Sequence, residues 1–195
     1  MFARFLAALA FGSLCLTVSV NAAPAGSFLI VPGHSIGHLV IGPNGAAELR
    51  HLPRADAGDA AMMQSNLVWL SKTSGRSDTL YIHTISNAAV GLNPVPPSDG
   101  LTISEIRITS RQFHTQNGIS TASTLAQIER RFPDARADRF MPAVYNDSKH
   151  GIAFEFALPV TPASRCRAIS VLPPGPNHAI TPQSEVDDLL KNSHT

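Results

Sequence analysis

The sequence predicts an α+β fold: two helix-plus-β-hairpin repeats forming one antiparallel sheet with helices on one face. Three observations predict it. Two short amphipathic segments each stop at a proline, strand-like runs follow each of them, and the two blocks align at an offset of eighty residues. A sheet that is apolar on one side must cover that side, and helices laid across it do so.

The chain opens MFARFLAALAFGSLCLTVSVNAAPAG. Arg4 gives a basic start, Phe5 to Val20 an apolar run, and Val20-Asn21-Ala22 small residues at the −3 and −1 positions. This is the pattern of a secretory signal peptide over residues 1–22, cut after Ala22. The run is shorter than the roughly 20 residues that span a bilayer, and no later segment is long and apolar enough. The mature chain is therefore expected in the periplasm or secreted, with no transmembrane segment. Cys15 follows Leu14, where a lipobox needs a small residue, so it leaves with the signal.

About 173 residues remain, enough for a single domain with a true core. The expected organisation is one α+β domain over 23–172, with repeat one at 27–86, a linker at 87–100 and repeat two at 101–172. A Pro-rich C-terminal tail with room for a short helix occupies 173–195. The formal charge of +1 at pH 7 includes Arg4. Without it no basic surplus is left to neutralise a phosphate backbone, so nucleic acid is not an expected partner. Cys166 is then alone, and no intramolecular disulfide can form although the compartment permits one. It lies in the alternating run SRCRAISVL and reads as a small packed hydrophobe; flanking Arg165 and Arg167 keep a reactive thiol as the alternative.

The elements follow in order. In NGAAELRHLP, Ala46, Leu49 and Leu52 recur at helical spacing, Asn44 caps the start and Pro53 stops it. NLVWLS and TLYIHTI are strands joined through a loop containing Gly75. NAAVGLNPVPPSDG is a loop crossing. LTISEIRITS is rich in β-branched residues. STLAQIERRFP places Leu125, Ile128 and Phe132 on one helical face, with Thr124 and Gln127 in capping-box relation and Pro133 at the end. GIAFEFAL alternates most cleanly, with Ile152, Phe154, Phe156 and Leu158 on one side, and pairs back through NDSKHG with AVY. CRAISVL is the last strand. In the tail, TPQSEVDDLLK offers Thr181 as cap, Pro182 at the first helical position, and Val186, Leu189 and Leu190 as the apolar side. At the offset of eighty, His34 meets His114, Ala46 meets Ala126, Arg50 meets Arg130 and Pro53 meets Pro133, which reads as a duplicated unit.

VPGHSIGHLVIG followed by a short helix, and FHTQNGISTASTLAQIERRFP followed by YNDSKHGIAFEF, resemble a group of small bacterial envelope proteins with tandem helix-plus-hairpin repeats. The architecture is similar to that of the β-lactamase inhibitor protein and of the outer-membrane assembly lipoproteins of the SmpA/OmlA type. The resemblance covers roughly Ile30 to Leu172. The lipoproteins' lipidation cysteine and the inhibitor's disulfides are missing here. The resemblance implies a fold and a binding role and transfers no catalytic residue.

Four chemical readings remain. Gly33-His34-Ser35-Ile36-Gly37 fits the G-x-S-x-G nucleophile elbow, which would make Ser35 the nucleophile of a serine hydrolase. An elbow needs a helix directly after the serine. HLVIG is β-like, and Pro43 and Asn44 stand before any helix, so a glycine turn is the preferred reading. His34, His38 and His51 cluster in sequence, with His34 and His38 a conceivable two-histidine metal pair, while His83, His114 and His150 are spread beyond them. Asp56 with Asp59, and Asp187 with Asp188, offer no acid–base pair. Trp69 and Tyr81, on consecutive strands, are either a cross-strand pair on an open sheet face, where a concave binding surface would begin, or core residues. No residue is assigned to catalysis, a cofactor or a metal. The expected function is a non-catalytic binding or envelope-interaction module, contacting an envelope or secreted protein through the sheet face that the helices leave open; the alternative is the Ser35 hydrolase.

Overall fold

The computed structural model describes residues 28–43, 46–61, 63–73, 76–86, 101–176 and 178–193. The signal segment 1–22, the crossing 87–100, Asn44 and Gly75 lie outside the described residues.

The first strands are short because the chain reverses twice. Gly33 and Gly37 adopt φ of +69° and +60°, a region open to glycine at little cost. Leu29–Val31 (β1), Ser35–Ile36 (β2) and Leu39–Val40 (β3) therefore form a small meander. Ala46–Leu49 (α1) is a single turn. Ala57–Ala61 (β4), Gln64–Thr73 (β5), Arg76–Ser86 (β6) and Leu101–Ile108 (β7) follow as a long antiparallel meander. His114–Thr115 (β8) leaves it and pairs in parallel with β1, completing a four-stranded sheet of order β3-β2-β1-β8.

Leu125–Arg131 (α2) starts on the expected capping box. The Gln127 N–H donates to Thr124 Oγ1 at 3.3 Å, and the Thr124 N–H donates to Gln127 Oε1 at 2.8 Å. A second meander comes next: Arg136–Ala137 (β9), Val144–Asp147 (β10), Ile152–Glu155 (β11) and Ala168–Val171 (β12). The two meanders join through β7 and β12 into one eight-stranded sheet, β4-β5-β6-β7-β12-β11-β10-β9. Gln183–Asn192 (α3) closes the chain.

The main core lies on one face of the large sheet, where Ile82, Ile106, Ile108, Phe154 and Ile169 meet α2 through Leu125 and Ile128, and the small sheet through Ile30 and Ile36. Between β6 and β7 the register shifts: His83 pairs with Glu105 and Thr84 with Ile103, so Ser104 is an extra residue. The bulge returns Ile103 to the core side, and Glu105 and Arg107 face the other way.

This arrangement corrects the α+β expectation. The described residues are mostly β, with 40% strand against 14% helix, in two sheets instead of one antiparallel sheet. Each of α1 and α2 leads into a four-strand meander, not a hairpin, and the small sheet includes a parallel pair. The two repeat helices do pack on the same core, through Leu49 and through Leu125 and Ile128, but the tail adds a helix on the other face. α2 packs on the main core, whereas Val186 of α3 packs with Ala57, Val68 and Tyr81 on the opposite side. The physical reason is local. The first helical pattern sustains only one turn before Pro53, too short to roof a sheet, and the β-branched runs extend to ladders of ten and more residues.

The sheets are pinned together where two glycine turns meet. The Gly33 N–H donates to Gly151 O at 3.1 Å. Gly151, at φ +69°, is packed so closely that a Cβ would collide with Leu172 O and stand 2.8 Å from Gly33 Cα. At Gly118, also at positive φ, a Cβ would meet nothing within 4 Å. Gly151→Ala is therefore expected to cost about 3 kcal/mol from strain and collision together, against about 1 kcal/mol for Gly118→Ala from strain alone. Equilibrium urea unfolding of the two variants measures the difference.

Candidate functional site

The two sheets do not meet evenly. At the end near the β5–β6 turn they part around an apolar cleft of about 540 Å³. Ile36 and Leu39 line it from the small sheet, and Trp69, Leu80 and Ile108 from the large one. Phe113 closes one end, its ring edge-on to Phe28 at 5.5 Å. Trp69 is half-buried and fixed in place, because its Nε1–H donates to Pro53 O at 2.8 Å. Asp56 stands at the rim with Oδ2 accepting from the Leu70 N–H at 2.6 Å, and Arg54, Asp78 and Gln112 complete the polar edge. An apolar bed with a few polar groups at its mouth is the usual form of a small-ligand site.

The residues singled out by sequence are placed as follows. Ser35 lies in β2, buried, paired with Val31 on one side and Val40 on the other. A turn and another strand follow it, so it does not occupy a strand-to-helix corner. Cys166 is buried, with Sγ 3.1 Å from Ala168 O. Burial pushes its thiol up to about 12, and flanking Arg165 reaches away to Ala122 O. His34, His38, His51 and His114 are exposed. The metal-capable grouping among the described residues is instead Asp134, Asp147 and His150. There the fully buried Asp147 accepts from the His150 N–H at 3.2 Å, its Oδ2 lies 2.8 Å from His150 Nδ1, and Lys149 pairs with Asp134 at 3.3 Å. These contacts brace the β10–β11 turn. Asp59 is exposed on β4, Asp187 accepts from Gln183 Nε2, and Asp188 pairs with Lys191.

Trp69 and Tyr81 do not pair. Trp69 is opposite Leu80, and Tyr81 opposite Val68, so the two rings lie on opposite faces. Tyr81 is buried on the second face. That face is not open, as the sequence suggested; the segment leading into α3 covers it.

Beneath that cover is a polar cluster that sequence reasoning missed. Arg107 Nη2 lies 2.5 Å from Glu155 Oε2, and Nη1 donates to Ser170 Oγ at 3.3 Å. Ser170 in turn donates to Glu105 Oε1 at 2.7 Å. Tyr81 Oη donates to Asn66 Oδ1 at 2.7 Å, and His83 Nδ1 is 2.7 Å from the same oxygen. Burial raises the Glu105 carboxyl above its usual range, opposed by Ser170, Arg107 and Thr181. Burial also raises Tyr81 and lowers His83. A signal was present: Glu105 and Arg107 alternate with isoleucines inside one strand, and Glu155 interrupts the apolar run of β11.

No protein family and no curated protein matches the chain. Among solved structures, the uncharacterized protein YfeY from Escherichia coli is similar at 10% identity and a TM-score of 0.37, over 73% of this chain and 98% of that one. So faint a likeness carries no argument, and none of these comparisons adds to the resemblance to the β-lactamase inhibitor protein.

Two outcomes follow from this geometry. Cys166 is expected to stay unmodified by iodoacetamide in the folded protein and to react fully in denaturant, as read by peptide mass. Glu105 has its folded pKa raised, so its contribution to stability is full below the ordinary carboxylate range and is lost as pH rises through the raised value. Glu105→Gln removes that loss while keeping an acceptor. Its melting temperature is expected to gain steadily on the parent as pH rises above the ordinary carboxylate range.

Proposed function

We propose that the protein is an exported, non-catalytic binding module that takes an apolar group of an envelope or secreted component into the cleft between its sheets. The cleft carries this reading. Its volume of about 540 Å³ suits a small ligand or a buried apolar side group, its walls come from two separate sheets, and an indole is held at its edge. The export pattern at residues 1–22 supports a module working in the periplasm or outside the cell. The site differs from the open sheet face first expected, because that face is covered.

The serine-hydrolase alternative finds no support in the geometry. Ser35 is buried in a two-residue strand between glycine turns, and no helix dipole or exposed elbow is offered to a substrate.

The test is a titration with N-phenyl-1-naphthylamine, an uncharged apolar fluorophore, read by its own emission. Saturable binding is expected, weakened about tenfold by Trp69→Ala or Phe113→Ala. Unchanged affinity in both variants would remove the cleft from consideration. Covalent capture of Ser35 by a fluorophosphonate would replace this reading with the hydrolase.

A further inference from the structure

The second face of the large sheet presents a puzzle that the cleft does not explain. From β12 the chain runs through Pro173, Pro174 and Pro176, then crosses the whole face. Ile180 packs with Val144 and Ala153 on the β10–β11 side, and Val186 packs with Ala57, Val68 and Tyr81 on the β4–β6 side. Within 178–193 these are the two buried side chains, and Leu189 and Leu190, partly buried, pack beside Val186. α3 begins at Pro182 without a side-chain cap. The apolar hold on this segment is therefore gathered at its two ends, at Ile180 and around Val186, with polar contacts between them.

What the segment covers is charged, and that surface is already assembled without it. Glu105, Ser170, Arg107 and Glu155 bond to one another from β7, β11 and β12. The covering chain adds peptide N–H groups, one hydroxyl and the Gln183 amide, whose Oε1 accepts from Arg107 Nη2 at 3.4 Å. The Thr181 N–H donates to Glu105 Oε2 at 3.1 Å, the Gln183 N–H donates to Glu155 Oε2 at 3.0 Å, and Thr181 Oγ1 donates to Tyr81 Oη at 3.0 Å. Arg107 Nε, on a side chain only 2% exposed, has no hydrogen-bond partner among the described residues. A surface built solely to be sealed would be apolar, because buried charges are costly and an unmet donor adds to that cost.

We propose that this face is a polypeptide-binding surface, that residues 178–193 are its resident occupant, and that they release as a strap while both sheets stay folded. The chemistry of the fit is specific. Two carboxylates two strands apart receive backbone N–H groups from alternate residues of an extended stretch. A helical turn then delivers an aliphatic side chain, three positions on, to the hollow over Val68 and Tyr81. The occupant is this segment of the same chain, and a second copy's segment is an outcome of the test. The inference is independent of the inter-sheet cleft.

Hydrogen exchange on the full chain tests release. Amides of 178–193 are expected to exchange at least about tenfold faster than those of β7 and β12. Thr181→Pro, which removes the donors to Glu105 and Tyr81, is expected to raise the strap's rate about tenfold further and leave β7 and β12 unchanged. Exchange of 178–193 only in step with β7 and β12 overturns the proposal. A fluorescein-labelled peptide of residues 178–193 tests the surface. The full-length Val186→Asp chain, whose strap is weakened, is expected to bind the peptide about tenfold tighter than the parent does, and to bind a Thr181→Pro peptide more weakly. Equal binding by both chains, or no binding by either, overturns it. A concentration-dependent dimer of the parent, lost in Val186→Asp, would identify the second copy as the source of the occupant.

Discussion

A guanidinium taken out of water has to be met by an opposite charge and by acceptors, or the sheet that holds it is destabilised. Arg107 is such a group at the middle of the eight-stranded sheet, and the second face is organised around it. Glu155 meets it from β11, and Ser170 from the directly opposed position on β12. Those contacts require β7, β12 and β11 to hold one register. The bulge at Ser104 reconciles this demand with the core. Strict alternation would put Ile103 on the same side as Glu105 and Arg107; the extra residue sends it back among the isoleucines. One irregularity in one strand thus lets a sheet carry an apolar face and a charged face with no side chain misplaced.

How far the sequence disclosed this structure depended on how local each element's cause was. The capping box of α2 uses residues three apart, and it was legible in full. The β10–β11 hairpin was legible because its alternation is nearly perfect. The small sheet was not: its strands run two or three residues, below any readable period, and the parallel pair β1·β8 joins segments that meet only in the folded chain. α1 matched a helical pattern that its length could not sustain.

The candidate site was half legible for a related reason. Trp69, singled out by the sequence as either a face or a core residue, lines the cleft, but it lies opposite Leu80 and not Tyr81. The β5–β6 ladder runs out to the pair Thr73 and Arg76, well into the stretch read as a loop. A loop read as KTSGRSD leaves the register open by one, and one residue decides whether Trp69 meets Tyr81 or lies behind it. The cleft itself comes from Ile36 and Leu39 of one sheet facing Leu80 and Ile108 of the other, a juxtaposition with no signature in any short window. The charged face had a signature, Glu105 and Arg107 among isoleucines, but alternation alone cannot tell a solvated side from one sealed by a distant segment.

The same pair of strands serves both faces. Through Trp69 and Leu80, β5 and β6 wall the apolar cleft; through Val68 and Tyr81, the adjacent residues, they hold the end of the strap. Period-two geometry makes this unavoidable, since each step along a strand changes side. The cleft and the strap are therefore back to back on one ladder. Leu70 and Thr79, opposed in that ladder, border the cleft and also the hollow edged by Gln183, Asp187 and Leu190 of the strap's helix. A backbone shift that widened the cleft along β5 would move the bed on which Val186 lies, because strands in a paired ladder do not move one face at a time.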